Sequence, residues 1–272
     1  MMQEQLDRTC ILAGLSEIAH TGLKQLEIFQ TLGSTSNYLF ASAQEGSRDS
    51  GVVCISEQQT AGKGRQGRRW ITTFEGGSLA LSLLWRFNCL PEALSGLSLV
   101  AGIAVARALR DFGVHEVGLK WPNDVWWCKR KLGGILLESS SSIAESFRVV
   151  TGIGLNIALS QQDGELIDQP WVDLQEVLGV NVQISRNRLA ALLINELITA
   201  FIRFQSDGFS GFANEWTCFD LTFGKRVCLK LPNATVTGIA KGVDATGALL
   251  LETQSGQFIP YRGGEISLRI DE

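Results

Sequence analysis

The first two thirds of the chain carry a series of short apolar segments, several of which alternate apolar and polar positions. Alternation predicts a half-buried β-strand, and a short continuous apolar run predicts a buried one. Ser78–Phe87 is the clearest case, because every second residue from Leu79 to Trp85 is large and apolar. The predicted strands are 51–57, 78–87, 117–121, 125–127, 134–138 and 147–157.

Helical periodicity recurs in two longer stretches. Pro91 and Glu92 begin the first, and Gly113 ends it. Ser185 caps the second, which carries an apolar stripe as far as Ile202. The remaining expectations are a short helix at 212–216, one or two short helices within 1–30, a helix after the caps at 34–36, and a loop at 161–171.

The character of the sequence changes near Phe219, where short strand patterns are separated by turn residues. The predicted strands are 226–231, 235–240, 248–252, 257–261 and 265–270, and together they predict a small β-barrel. The earlier strands also follow one another with few helices between them. We therefore expect an α+β fold, with a mixed, largely antiparallel sheet flanked by helices. The predicted domains are 1–218 and 219–272.

Composition restricts the class of protein. The 272 residues are 45% hydrophobic and 19% charged, which is typical of a globular protein. A sequence pI near 5.4 argues against bulk nucleic-acid binding. The six cysteines form no Cys-x-x-Cys pair, so we expect buried thiols and not disulfides or zinc sites. We expect no leader sequence, because the N-terminus shows no charged and then apolar segment with a cleavage site, and the apolar stretch 93–109 is too short and mixed to span a bilayer. We therefore expect a cytoplasmic protein with no membrane partner.

Residues 61–70 place four cations and three glycines in a chain whose net charge is -4. Glycine lets backbone N–H groups approach a ligand, and arginine offers paired donors to phosphate or carboxylate oxygens. The segment is not a Walker phosphate loop, because Gly64 follows Lys63 where that motif has Ser or Thr. It is not a dinucleotide-binding turn either, because the cations after the glycines do not begin a helix. It predicts an anion-binding loop, and the alternative is a solvated surface turn.

A second segment is equally distinctive. Lys120-Trp121-Pro122-Asn123-Asp124 surrounds a rigid Trp-Pro pair with a cation, an amide and a carboxylate, and Lys131-Leu132-Gly133-Gly134 follows. Together with the basic loop and with Ser34-Thr35-Ser36-Asn37, this sequence closely resembles the bacterial biotin protein ligases, in the form without an N-terminal helix-turn-helix repressor domain. The motifs follow the family's order from about Leu26 to Arg269.

The resemblance implies an ATP-dependent biotin–protein ligase. Such enzymes join the biotin carboxylate to the α-phosphate of ATP, release pyrophosphate, and pass biotin to one lysine of a biotin carboxyl carrier protein, with Mg2+ as the accompanying ion. The implied fold is a catalytic domain of the class II aminoacyl-tRNA synthetase type followed by an SH3-like barrel. Two anions meet in the first step, so the chemistry requires cations and positioning. With only His20 and His115 in the chain, no histidine-activated nucleophile is expected.

The resemblance also implies a set of site residues. The candidate catalytic residues are Lys120, Arg65 and Asp124. The candidate biotin-binding residues are Ser34, Thr35, Ser36, Gln59, Lys63, Gly64, Arg65, Lys131, Gly152 and Gly154. The candidate ATP- and adenylate-binding residues are Arg65, Arg68, Arg69, Trp70, Lys120, Asn123, Asn156 and Trp171. The chain departs from the family's pattern at Lys63, where Arg is usual, and at Ser36, where Asn is usual.

Several of these residues have more than one interpretation. Lys120 is implied to lie near the reacting phosphate, and the alternative is a surface lysine before a structural Trp-Pro pair. Asp124 is compatible with orienting Lys120, holding Mg2+, or receiving the proton of the acceptor lysine. Residues 34–36 are compatible with biotin binding and with capping a helix, and both can hold.

Two rival functions are weighed against the ligase. A lipoate–protein ligase shares the fold and the adenylation chemistry, but the segment 120–124 disfavours it. A non-catalytic RNA-binding protein is disfavoured by the acidic pI. Residues 1–30 show no basic recognition helix, so we expect no specific DNA binding. The oligomeric state is left open between a monomer and a homodimer.

Overall fold

Two β-sheets organise the part of the chain that the computed structural model describes, which is residues 4–45, 50–72, 76–88, 94–142, 146–263 and 266–270. The larger sheet contains β1 (Gln25–Leu32), β2 (Val52–Gln59), β3 (Ser78–Phe87), β4 (Val117–Lys120), β5 (Asp124–Trp127), β6 (Arg130–Ser142) and β7 (Ser146–Asn156). The smaller contains β8 (Arg226–Lys230), β9 (Thr235–Val243), β10 (Leu249–Glu252), β11 (Phe258–Tyr261) and β12 (Ser267–Ile270). Their strand orders are β1-β2-β3-β7-β6-β5-β4 and β11-β10-β9-β8-β12.

The larger sheet is mixed and largely antiparallel, as expected. Strands β1 and β2 pair in parallel, and the other described pairings are antiparallel. Strand β3 has the predicted bounds, but nine of its ten residues are buried, so the expectation of a half-buried strand is wrong because helices cover both faces of the sheet here. Strand β6 is much longer than the predicted 134–138, because its polar ends continue the ladder with β5 and β7.

The prediction for residues 1–30 is wrong in one respect. Two short helices are present, α1 (Arg8–Ala13) and α2 (Glu17–Gly22), but strand β1 follows them and was not predicted. Strand β1 lies at the edge of its sheet, and Leu26 is its only fully buried residue. An edge strand with so little buried surface has no clear apolar alternation, which explains the omission.

The remaining helices are α3 (Thr35–Gln44), α4 (Leu97–Phe112), α5 (Gln161–Gly164), α6 (Leu174–Leu178), α7 (Arg186–Asp207) and α8 (Ala213–Thr217). Helix α4 ends at Gly113, whose φ of 117° favours glycine, and its predicted start at Pro91 lies outside the described residues. The Ser185 cap of α7 is confirmed, because its side chain accepts from the Arg188 N–H. The predicted loop 161–171 begins with the short helix α5 instead.

Helices cover both faces of the larger sheet. The main core joins α4 and α7 to the sheet, with Val100 and Phe201 fully buried. On the other face, Leu39 of α3 packs on Cys54 and Val150 in a small separate core. Helix α7 is long and apolar enough to cross a membrane, but 56% of its most apolar window is buried within the protein. Helix α7 is a core helix of the fold.

The smaller sheet is antiparallel throughout its described pairings and contains the predicted number of strands. Its junction with the larger sheet is held by Leu119, which donates to the Phe219 carbonyl at 2.7 Å and accepts from the Leu221 N–H at 2.9 Å. The expectation of buried thiols is wrong for Cys10, Cys128 and Cys218, which are free and exposed. Cys89 lies outside the described residues.

Candidate active site

A cavity of about 730 Å³ lies where the larger sheet, the basic loop 61–70 and strand β12 meet. Every candidate residue named from the sequence lines it. They are Ser34, Thr35, Ser36, Gln59, Lys63, Gly64, Arg65, Arg68, Arg69, Trp70, Lys120, Asn123, Asp124, Lys131, Gly152, Gly154, Asn156 and Trp171. Residues separated by more than a hundred positions in sequence are thus brought to one site.

The N-terminus of α3 forms one wall. Ser34 caps the helix by accepting from the Asn37 N–H at 3.4 Å, so the capping interpretation is confirmed for Ser34. Thr35 and Ser36 are buried against the sheet. The Thr35 N–H donates to Oε1 of Gln59 at 2.8 Å, which ties α3 to the end of β2. The wall therefore presents hydroxyl groups and one amide to the cavity.

Glycines in β7 form the floor. Gly152 pairs with Ser82 and with Leu136 on its two neighbouring strands. A Cβ atom at Gly152 would collide with the Ser36 hydroxyl, and one at Gly154 would collide with the Trp70 ring. These two positions need glycine because α3 and Trp70 approach the strand too closely for a side chain.

The basic loop is a closed turn. Lys63 and Arg69 form a bridge across it, and the Gly64 N–H donates to the Arg68 carbonyl at 2.7 Å. Gln66 at its tip adopts a φ of 58°, a left-handed conformation uncommon for residues other than glycine. The turn thus carries its cations on a short, tightly bent backbone.

Arg65 connects this loop to both sheets. Its guanidinium donates to Oδ1 of Asn123 at 2.8 Å and to the Gly263 carbonyl at 2.6 Å. Burial lowers the pKa of Arg65, partly offset by the negative charge of Asp124. Lys63 lies 3.8 Å from Glu138. The loop is therefore held at its start by an ion pair and at its centre by hydrogen bonds.

Lys120 is the most deeply buried cation of the site, at 8% exposure. Its Nζ lies 4.0 Å from Oδ2 of Asp124 and 4.5 Å from the centre of the Trp126 ring. Lys131 takes the other oxygen of Asp124 at 2.7 Å. Burial lowers the pKa of Lys120 to about 8, with Asp124 raising it and Lys131 and Arg269 lowering it further. The surface-lysine interpretation of Lys120 is wrong.

Asn156 and Trp171 both contact Lys131. The Asn156 amide nitrogen donates to the carbonyls of Lys131, at 3.3 Å, and Val172, at 3.0 Å. Trp171 forms a bridge with Lys131 and packs so closely on Gly164 that a Cβ there would collide with its ring. The loop before Trp171 is thereby fixed against β6.

Three contributors escaped sequence analysis. Ser82, fully buried on β3, binds the hydroxyls of Thr35 and Ser36. Trp126 covers Lys120, and Arg269 reaches the cavity from β12. A polar residue in the middle of an apolar strand was the available signal for Ser82. Nothing local in the sequence marks Trp126 or Arg269.

Comparisons with known proteins identify two matching families and several relatives. Residues 28–156 match the Biotin/lipoate A/B protein ligase family, and 222–269 match the Biotin protein ligase C terminal domain. The chain is 41% identical over 245 residues to the bifunctional ligase/repressor BirA of Escherichia coli, covering 90% of this chain and 74% of that protein. It is 37% identical over 256 residues to the biotin–[acetyl-CoA-carboxylase] ligase of Mycobacterium tuberculosis, covering 92% of each.

One solved structure is similar over nearly the whole chain. The biotin protein ligase of Aquifex aeolicus in complex with biotin and ATP superposes with a TM-score of 0.76 at 27% identity, over 92% of this chain and 100% of that one. The resemblance inferred from the motifs is confirmed by similarity over nearly the whole length, and the chain belongs to the biotin protein ligase family.

Proposed function

We propose that the chain activates biotin with ATP to biotinyl-5'-AMP and transfers biotin to a lysine of a biotin carboxyl carrier protein. The observation that carries this is the single cavity in which Lys120, the basic loop and the hydroxyl-bearing wall of α3 converge. Relatives that cover most of the chain carry the name biotin–[acetyl-CoA-carboxylase] ligase. These named relatives favour biotin over lipoate as the acid that is activated.

In the first step, a biotin carboxylate oxygen forms a bond to the α-phosphorus, and the bond to the bridging oxygen breaks as pyrophosphate leaves. Charge builds on the α-phosphate oxygens in the transition state. Lys120 supplies a cation in water-poor surroundings, where its attraction to that charge is strongest. Arg68 and Arg69, which line the same cavity, neutralise the remaining phosphates.

Asp124 is proposed to orient the two lysines. Its oxygens lie 2.7 Å from Lys131 and 4.0 Å from Lys120, so both face cations. That arrangement does not fit a magnesium ligand, and no cluster of three metal-binding side chains occurs among the described residues. We propose that Mg2+ enters with the ATP phosphates as part of the substrate, as is usual for this ion.

In the second step, the neutral amine of the carrier lysine forms a bond to the biotin carbonyl carbon, and AMP leaves. The mixed anhydride has to survive until the carrier arrives, so it must be shielded from water. The basic loop, held by Arg65 between Asn123 and Gly263, is proposed to cover it. Trp70 and Trp171 line the cavity and supply apolar surface for the adenine.

We also propose that residues 1–218 form the catalytic domain and 219–272 an SH3-like barrel, which the five antiparallel strands of the smaller sheet support. We propose that the protein acts in the cytoplasm together with its carrier. Helices α1 and α2 pack on α7, where Ser16 donates to Asn195 at 2.9 Å. We expect no sequence-specific DNA binding by these residues. The protein functions as a monomer or a homodimer.

The test is biotin-dependent exchange of labelled pyrophosphate into ATP, followed by mass spectrometry of an isolated carrier domain. We expect exchange with biotin and a gain of one biotin on one carrier lysine. Lipoate in place of biotin is the control. Exchange that responds to lipoate and not to biotin would overturn the proposal.

A further inference from the structure

Four side chains form a continuous hydrogen-bonded chain beside the cavity. Oε1 of Gln59 accepts from the Thr35 N–H at 2.8 Å and from the Thr35 hydroxyl at 3.1 Å. The Thr35 oxygen lies 2.8 Å from the hydroxyl oxygen of Ser82, which lies 3.0 Å from that of Ser36. Ser82 is fully buried and is not among the described residues that line the cavity.

The direction of this chain is fixed by one backbone group. A backbone N–H can only donate, so the Gln59 atom facing Thr35 must be its oxygen. The Thr35 hydroxyl, which has one proton, must therefore give it to Gln59. The proton of Ser82 must then go to Thr35, and that of Ser36 to Ser82.

This order determines what the cavity offers a ligand. Ser36 and Gln59 line the cavity. The Ser36 hydroxyl donates its proton to Ser82 and therefore presents only lone pairs to the cavity. Gln59 retains two N–H groups, because its amide nitrogen bonds to none of the described residues. The pair is therefore one acceptor and one donor. A cyclic urea has the complementary edge, with an N–H next to a carbonyl oxygen.

We propose that Ser82 is a positioning residue for biotin, because it fixes the hydroxyl chain so that Ser36 accepts from a ureido N–H while Gln59 donates to the ureido carbonyl. The proposal rests on the proposed function, since it takes biotin as the ligand. Without Ser82, the Ser36 hydroxyl is free to rotate and can either donate or accept. Ser82 thus sets the polarity of the site without touching the ligand.

The test compares biotin with its cyclic carbamate analogues, in which a ring oxygen replaces one ureido N–H. In the wild type, the ring oxygen of one isomer faces the hydroxyl oxygen of Ser36, and neither can donate a proton to the other. We therefore expect that isomer to bind at least about tenfold more weakly than biotin. In Ser82→Ala, the Ser36 hydroxyl can donate to the new oxygen. The ratio of the two dissociation constants, measured by calorimetry, should fall by about threefold or more.

Ser78→Ala is the matched control. Ser78 is buried on the same strand, but its hydroxyl has no hydrogen-bond partner among the described residues. Its loss should leave the ratio unchanged. Thr35→Val is a second variant, because it frees Ser82 to donate to Ser36 and should also lower the ratio.

Two results would overturn the inference. One is equal loss of affinity for biotin and carbamate in Ser82→Ala, which is what a merely structural serine would give. The other is a wild-type protein that does not discriminate between them. If the wild type shows no biotin-dependent pyrophosphate exchange, the proposed function itself fails. If exchange is normal but Ser82→Ala leaves the ratio of dissociation constants unchanged, only the role of Ser82 is removed.

Discussion

The ammonium of Lys120 lies 4.0 Å from Asp124, too far for a hydrogen bond, although both side chains line one cavity. Nζ of Lys131 lies 2.7 Å from the other carboxylate oxygen, Oδ1 of Asp124. Lys120 therefore keeps its donors available for a ligand, at the cost of being charged in a poorly solvated place.

Lys120→Ala should abolish adenylate formation more than it weakens biotin binding. The lost interaction is stronger in the transition state than in the ground state, so the exchange rate should fall about 100- to 1000-fold. The dissociation constant for biotin, measured by calorimetry, should change little. Lys24→Ala, at an exposed lysine far from the cavity, is the control. Loss of biotin affinity in step with the rate would contradict the assigned role.

Activity should fall as pH rises through the pKa of Lys120, which burial lowers to about 8. The cation is the active form, so kcat/KM for the adenylation step should decline above pH 8, where the free enzyme loses it. Lys120→Arg, although less active, should keep its activity constant through this range, because arginine stays charged. An identical decline in both proteins would assign the titration to another group.

Lys120→Met should stabilise the inactive protein. A pKa lowered from 10.5 to about 8 means that the charged form costs folding free energy at neutral pH. Asp124 keeps Lys131 as its partner, so replacing the buried ammonium should raise the unfolding free energy by about 1–4 kcal/mol. Between pH 8 and 10.5 the unfolded wild-type protein binds more protons than the folded one, so the free energy of unfolding rises with pH. This rise should vanish in Lys120→Met. Thermal melts across that range measure both effects.

Arg65→Ala should release biotinyl-adenylate from the enzyme. Its hydrogen bonds to Asn123 and Gly263 hold the basic loop in place, and charge-assisted bonds of this kind contribute about 1.5–3 kcal/mol each. We expect the adenylate to dissociate about tenfold faster or more in a rapid-dilution assay. Arg8→Ala, in helix α1, provides a matched arginine loss. An unchanged dissociation rate would remove this role.

Residues 61–70 should exchange their amide protons faster without ligand than with biotin and ATP, although the bonds of Arg65 and of the turn itself already restrain the loop. Four cations repel one another there, and fixing each backbone residue costs about 1–2 kcal/mol. A bound polyanion offsets that cost through bonds to Arg side chains and backbone N–H groups. Amide exchange at Gly64 and Trp70 should slow when both substrates are added. Equal protection with and without them would mean that the glycines serve packing alone.

Much of the fold could be predicted because buried faces leave a regular pattern. Ser78–Phe87 and the α7 stripe are examples, since most of their side chains enter the core. Strand β1 could not, because an edge strand with one buried residue has no such pattern. The ends of β6 were missed for the same reason, as polar residues continue the ladder there.

The candidate site was predictable as a set of motifs but not as a geometry. Lys120, Asp124 and Lys131 were each singled out, yet only the structure shows that Lys131 is the closer partner of Asp124. Ser82 belongs to no motif, and its importance depends on a contact across 46 positions of sequence. Contacts of this kind are set by tertiary packing and leave little local signal.

The bond from Arg65 to the Gly263 carbonyl has a thermodynamic consequence for the whole chain. It joins the ligand-covering loop to the backbone beside the smaller sheet. A ligand that tightens the loop must therefore also oppose local opening of that sheet, because binding energy is shared by all the elements that must be native for binding to occur. We therefore expect saturation with adenylate to make both sheets unfold in one cooperative transition.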